Sequence, residues 1–209
     1  MRTDPWPSVR EPSALRLVLT LSLAGLISGL IIVVAYHATR PTITAYQAEQ
    51  LRAAVFKVLP GITRLQRMTY QDGKLIASEG TDNEVVYAGY GADNGLIGYA
   101  IPAAGPGFQD TIRLLYSYVP GPRTVVGMEI LDSRETPGLG DKIFKDAAFV
   151  ANFQHLEIDP TIVAVKKGRK SAPNEIDAIT GATISSKAVV HIINQANAIW
   201  APRLTAAAE

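Results

Sequence analysis

Hydrophobic positions along the chain fall into two regimes. From Leu17 to Tyr36 the residues read LVLTLSLAGLISGLIIVVAY, without a single charge. As a helix this stretch would rise about 30 Å, the thickness of a bilayer's hydrocarbon core. It is longer than the apolar region of a signal peptide, and no A-x-A cleavage site follows it, so a retained membrane anchor is expected. A buried core helix is the competing reading, but few soluble helices are so uniformly apolar. Gly25, Ser28 and Gly29 are small enough to let a neighbouring helix approach.

Beyond the anchor the pattern becomes periodic. Tyr46 to Leu59 repeats apolar residues at Leu51, Val55 and Leu59, which predicts a helix ended by Pro60-Gly61. Alternating segments separated by Gly, Pro and Asn/Asp turns predict strands at Glu84–Tyr90, Leu96–Ile101, Thr111–Val119, Val125–Leu131 and Thr161–Lys166. Lys145–Gln154 reads as a short helix. Ser185 to Trp200 reads as a long one, with Ala188, Val189, Ile192, Ile193 and Ala196 on one face. Strands in the middle and helices at the ends point to an α+β fold with a mainly antiparallel sheet. The tail Ala206–Glu209 is expected to fray. No internal repeat is visible.

Composition removes several kinds of chemistry. The chain has 209 residues, a net charge of +1 and no cysteine. Disulfides, iron–sulfur clusters, thiolate metal sites and cysteine nucleophiles are therefore excluded. Three widely separated histidines (His37, His155 and His191) make a histidine-rich metal site improbable. Redox chemistry would need a bound organic cofactor. The near balance of charge gives no support to a nucleic-acid partner. It also leaves orientation in the membrane undecided, since Arg2, Arg10 and Arg16 precede the span and Arg40, Arg52 and Lys57 follow it.

Two short stretches carry candidate chemistry. In Asp177-Ala178-Ile179-Thr180-Gly181-Ala182-Thr183, a short apolar strand turns into the final helix. Gly181 and Ala182 leave room for a bulky group against the backbone. Thr183 falls at the helix start, where free N–H groups and the helix dipole favour a phosphate. On local physics alone Thr183 or Ser185 reads first as an ordinary N-cap, a hydroxyl at a helix start being commonplace. Asp177 is a recognition point for a modifying enzyme or a metal. The second stretch is Arg134-Glu135-Thr136-Pro137-Gly138-Leu139-Gly140-Asp141-Lys142, a tight loop able to present N–H groups to a planar ligand or phosphate. It matches neither a dinucleotide fingerprint nor a Walker loop, and an ordinary strand-to-helix connection is the plainer alternative. Gly105-Pro106-Gly107-Phe108 reads as a turn. No G-x-S-x-G elbow is present, and Ser185-Ser186-Lys187 lacks the partners of a Ser-Lys hydrolase.

Together these residues resemble a known family. D-A-I-T-G-A-T resembles the flavinylation motif of FMN-binding domains, whose last Thr or Ser accepts flavin mononucleotide from a flavin transferase. E-T-P-G-L-G-D-K and the preceding G-P-G-F resemble the G subunit of the Rnf electron-transport complex. So does the layout of an anchor, Thr39-Arg40-Pro41, a domain and a motif-bearing helix. The resemblance implies covalent FMN, attached as a phosphoester to Thr183, with Asp177, Thr180, Gly181 and Ala182 completing its motif. It implies that Glu135, Thr136, Gly138, Leu139 and Gly140 lie near the isoalloxazine ring. Ser133 stands where this loop usually begins with His.

The resemblance further implies a single-pass inner-membrane protein with its main domain in the periplasm. The expected divisions are a cytoplasmic segment 1–16, a transmembrane helix 17–36, a juxtamembrane helix 37–61 and an FMN-binding domain 62–209. The implied role is an electron-carrying component of an ion-translocating NADH/ferredoxin oxidoreductase. Its partners would be the A, D and E membrane subunits, the B and C iron–sulfur subunits, and the flavin transferase. The C subunit of a sodium-translocating NADH:quinone oxidoreductase is the alternative, as is an unflavinylated structural or sensor domain of the same fold.

Overall fold

The computed structural model describes residues 13–78, 80 and 84–206. Most of the expected segment 1–16 and the end of the expected frayed tail lie outside the described residues. The elements in chain order are α1 (Ala14–Val58), β1 (Arg64–Gln71), β2 (Lys74–Ala77), β3 (Val85–Tyr90), β4 (Leu96–Pro106), β5 (Thr111–Tyr118), β6 (Thr124–Val125) and β7 (Met128–Asp132). They continue with α2 (Lys142–Lys145), α3 (Ala147–Ala151), β8 (Leu156–Glu157), β9 (Val163–Val165), β10 (Glu175–Asp177) and α4 (Thr183–Ala206). The chain divides into two compact units, Met1–Ala48 and Glu49–Glu209.

In the first unit every described residue is helical apart from Ser13, and all are exposed. Its helix is long and apolar enough to cross a membrane. An apolar helix exposed on every side has no protein core to bury it, which is the pattern of a lipid-facing segment. The buried-helix reading of Leu17–Tyr36 therefore fails. Pro41 is accommodated within α1, where the Thr39 hydroxyl donates to the Ala35 carbonyl and the Thr44 hydroxyl to that of Pro41. The helix expected at Tyr46–Leu59 is the last part of α1 rather than an element of its own.

The second unit is built on a six-stranded antiparallel sheet of order β2-β1-β3-β4-β5-β7. The alternation of side chains along its central strands sorts the core into two layers. Tyr99 and Ile101 of β4, with Ile112, Leu114, Tyr116 and Tyr118 of β5, face α4 and meet Val189, Ile192, Ile193, Trp200 and Leu204. Ala100 and Leu115 point the other way, onto Ala54, Val55, Val58 and Leu59. Burying each of these large side chains is worth about 1.5–3 kcal/mol, so the sheet is held from both faces. Tyr116 and Tyr118 also carry polar tips, which donate or share hydrogen bonds with Asn197 and Thr205 of α4. Burial pushes the Tyr116 hydroxyl well above its ordinary pKa, so it stays a neutral donor.

Several expected elements change extent. β4 runs on to Pro106, so Gly105 and Pro106 belong to a strand and only Gly107 and Phe108 begin the turn. The short helix expected at Lys145–Gln154 resolves into α2 and α3, separated by Asp146, whose carboxylate caps α3. β1 and β2 form a hairpin that the periodic pattern did not register. Two further pairs complete the unit, antiparallel β6–β8 and parallel β9–β10.

Candidate functional site

Glu135 lies at the centre of the site. It follows β7, and its side chain is buried at 5% exposure. One carboxylate oxygen accepts the backbone N–H groups of Phe108 and Gln109, at 2.9 and 3.0 Å. The other accepts the hydroxyl of Ser185, in the first turn of α4. A single carboxylate thus joins the β4–β5 turn, the loop after β7 and the head of the last helix. Burial pushes its pKa up, but the Ser185 hydroxyl and the N–H groups of Gln109, Phe108 and Asp110 outweigh that and hold it below the usual glutamate value. Glu135 is therefore a fixed anion with its oxygens already engaged, and a poor proton acceptor.

Two glycines make room for it. A Cβ on Gly107 would overlap Glu135 Oε1, and one on Gly140 would sit 2.7 Å from Glu135 Oε2 and 2.8 Å from Glu135 Cβ. The second glycine of G-P-G-F and the second of G-L-G are therefore required here by one buried side chain. The loop between them closes on itself. Leu139 and Asp141 donate N–H bonds to the Thr136 carbonyl, and the Thr136 hydroxyl donates to Gln109 Oε1 at 3.0 Å. Ser133, where histidine was expected, accepts the Glu135 N–H on its hydroxyl at 3.3 Å. It shapes the backbone ahead of Glu135.

At the other side of the site, the chain leaves β10 and enters α4 through a turn. Gly181 has a φ of +85°, a region that costs an L-residue about 1–2 kcal/mol, while its nearest neighbour, Leu139 Cδ2, would lie at an ordinary 3.6 Å from a Cβ. Handedness of the backbone, more than space, is what demands glycine there. Ser186 closes the turn by donating to the Ala182 carbonyl and accepting the Ile179 N–H. Thr183 is the first residue of α4, and it is exposed. Among the described residues its hydroxyl has no hydrogen-bond partner, and Ser185 spends its own on Glu135. Neither caps the helix, so the plain N-cap reading does not hold.

These pieces enclose a cavity of about 270 Å³. It is lined by Phe108, Glu135, Thr136, Leu139, Gly140, Gly181, Ala182, Thr183, Ile184 and Ser185. Two motifs 40 or more positions apart therefore share one wall. Gly138 lies in the same loop at a φ of +78° but outside the lining, as does Thr180. Asp177 is directed elsewhere: its Oδ1 accepts the N–H groups of Gly168, Arg169 and Lys170. Ile184 lies outside both motifs, Phe108 belongs to the stretch that reads as a turn and Ser185 to the helix start that reads as a cap, yet all three line the cavity. The helical spacing of Ser185 to the buried Ala188, Val189 and Ile192 was the available signal for Ser185. No cluster of three or more metal-ligating side chains occurs among the described residues.

The lining suits a flavin nucleotide in kind. Phe108, Leu139 and Ile184 are exposed apolar side chains able to meet a flat ring. The first N–H groups of α4 have no partner within the helix and lie at its positive end, which favours a phosphate. Whole-ligand pockets measure roughly 300–1,000 Å³, so this cavity takes part of such a molecule and leaves the rest outside.

Comparison with known proteins agrees with this geometry. Residues 107–198 match the family model described as "FMN-binding domain". The G subunit of the "Ion-translocating oxidoreductase complex" of Cereibacter sphaeroides strain ATCC 17023 is 34% identical over 85% of this chain and 80% of its own length. The G subunit of the "Proton-translocating ferredoxin:NAD(+) oxidoreductase complex" of Clostridium ljungdahlii is 32% identical over 84% of this chain and 85% of its own length. Among solved structures, NqrC of Shewanella oneidensis superposes with a TM-score of 0.61, at 16% identity, over 78% of this chain and 99% of that one. That likeness shows a shared fold.

Proposed function

The chain belongs to the G-subunit family of ion-translocating oxidoreductase complexes, and from that premise we propose that it carries one FMN covalently, as a phosphoester on Thr183. It is an electron-transport component of such a complex, with an FMN-binding domain. The attachment point is the finer reading. It is supported by one observation above all: exposed Thr183, whose hydroxyl has no hydrogen-bond partner among the described residues, lines the cavity that the Glu135–Gly140 loop completes.

The attachment is redox-neutral. The Thr183 oxygen forms a bond to the phosphorus of the flavin nucleotide and loses its proton to solvent or to the attaching enzyme. Free FMN would have to expel hydroxide, so the donor must be activated. A flavin dinucleotide meets that need: its pyrophosphate bond breaks, and a nucleoside monophosphate leaves with the electron pair. Once bound, the flavin supplies the electron transfer. The N–H groups at the head of α4 would hold the phosphate, and Phe108, Leu139 and Ile184 would offer apolar contact to the ring. Thr136, Gly138 and Gly140 shape the loop beside it, and Gly181, Ala182 and Thr180 shape the turn that presents Thr183. Glu135 binds these segments together and keeps a negative charge in the wall of the cavity.

The cavity encloses only part of the cofactor, which suits a carrier that exchanges electrons with neighbours. We assign residues 17–36 to the transmembrane helix, 37–61 to a juxtamembrane helix and 62–209 to the flavin domain. The domain lies in the periplasm, with 1–16 in the cytoplasm. Partners are the A, D and E membrane subunits, the B and C iron–sulfur subunits, and a flavin transferase for maturation. The decisive experiment is denaturing electrophoresis of the chain co-expressed with a flavin transferase. A fluorescent band that disappears in Thr183→Ala supports the assignment, and a band that persists in that variant overturns it.

A further inference from the structure

The overall charge balance conceals a local cluster. Lys166, Lys167, Arg169 and Lys170 place four cations within five positions, all exposed, in the connection between β9 and β10. Among the described residues none of the four belongs to an ion pair. The nearby carboxylates are spent on backbone instead. Asp177 Oδ1 accepts the N–H groups of Gly168, Arg169 and Lys170 at 2.8, 3.2 and 3.3 Å. Glu175 Oε2 accepts the N–H and hydroxyl of Ser171 and the N–H of Ala172.

Both carboxylates sit on β10, the strand that leads directly into the turn before Thr183. β10 is itself fixed, since Asn152 accepts the Asp177 N–H and Val165 accepts the Ala178 N–H. The backbone that carries the cations is therefore tied to the strand that leads to Thr183 rather than left as a loose loop. A lipid surface recognises basic charge without needing such order. A protein that must align a reactive group with one hydroxyl gains affinity and rate from a preorganised charged patch.

We propose that the Lys166–Lys170 loop, held in shape by Asp177 and Glu175, is the docking surface for an acidic face of the enzyme that attaches flavin to Thr183. The assignment presupposes Thr183 as the acceptor. It gives Asp177 a role as a positioning residue: it acts on the modifying enzyme through the loop and does not touch the flavin.

The test measures covalent flavin loading of the full chain in detergent by a purified flavin transferase with a flavin dinucleotide donor. A quadruple variant, Lys166→Gln, Lys167→Gln, Arg169→Gln and Lys170→Gln, is compared with the unaltered chain at several salt concentrations. The expected result is a loss of about tenfold or more in kcat/KM, carried by KM, with an unchanged melting temperature. Loading of the unaltered chain should slow with added salt, and loading of the variant should not. Asp177→Asn should lose rate in the unaltered loop and add no further loss in the quadruple variant. Equal loading of variant and parent at low salt overturns the proposal. Equal loading accompanied by lost binding to phosphatidylglycerol vesicles assigns the loop to a lipid surface instead. Loading that persists in Thr183→Ala would overturn the acceptor assignment itself, whatever the loop variants do.

Discussion

The Ser185 hydroxyl donates to the buried carboxylate of Glu135, a contact between residues 50 positions apart in the chain. It ties the head of α4 to the loop after β7, and the cavity lies between those two segments. Removing the donor leaves a buried charged acceptor short of a partner, which costs about 1–3 kcal/mol. Ser185→Ala should lower unfolding stability by that amount, read from denaturant midpoints of the full chain in detergent. A change within a few tenths of a kcal/mol would show that the contact does not hold the site together.

The same carboxylate sets a pH dependence. Its pKa in the folded protein is below the ordinary glutamate value, so it contributes stability that is fully present above that value, about 4.3, and is lost as pH falls through the folded pKa. Denaturant midpoints should therefore drop on acidification below about pH 4.3. Glu135→Gln, which cannot titrate, should be less stable at neutral pH and should show a smaller drop. A variant with the parent's full acid dependence would assign that dependence to other carboxylates.

Attachment chemistry makes a sharp contrast at Thr183. Thr183→Ser keeps a hydroxyl at the head of α4 and should still form the phosphoester. Thr183→Ala should not, while melting within about 0.5 kcal/mol of the parent, because the exposed side chain makes no hydrogen bond there. Intact-mass measurement after co-expression with a flavin transferase reads both. Loss of loading in Thr183→Ser would mean that more than the hydroxyl is recognised.

Two glycines should respond differently to the same methyl group. At Gly140 a Cβ meets the Glu135 side chain at 2.7–2.8 Å, so Gly140→Ala should cost about 1–3 kcal/mol and displace the carboxylate. At Gly181 the space is adequate and only the positive φ penalises alanine, by about 1–2 kcal/mol. Gly140→Ala should therefore weaken the Glu135 contacts and flatten the acid dependence, while Gly181→Ala leaves that dependence intact. Identical pH profiles for the two variants would contradict this division.

Away from the cavity, Tyr116 anchors α4 by donating to Asn197 Oδ1 at 2.9 Å in the core. Tyr116→Phe keeps the ring and strands the amide oxygen, at a cost of about 1–3 kcal/mol in denaturant unfolding. A neutral substitution would indicate that packing alone seats the helix.

Some local signals in the sequence are too weak to stand out from their surroundings. Asp72-Gly73 joins β1 to β2 with φ values of +50° and +79°, the backbone of a two-residue hairpin turn, for which Asp-Gly is a favoured pair. The strands around it alternate weakly because β1 is half-buried along most of its length, so period-2 patterning could not reveal it. In the same way, Lys166–Lys170 is written plainly in the chain but vanishes in a net charge of +1.

What the sequence determined by itself is whatever depends on neighbours along the chain. The uncharged run at Leu17–Tyr36, the alternation of β4 and β5, the apolar face of α4 and the motif ending at Thr183 all follow from local periodicity and composition. Only the tertiary structure decided which residues of the two motifs face each other. It brought Phe108, Glu135 and Ser185 to one cavity, turned Asp177 away from it, and left the Thr183 hydroxyl unengaged where local sequence favoured an N-cap. The physical reason is that a buried carboxylate takes its donors from whatever the fold brings near. For Glu135 those donors lie 26, 27 and 50 positions away, a distance that no local pattern encodes.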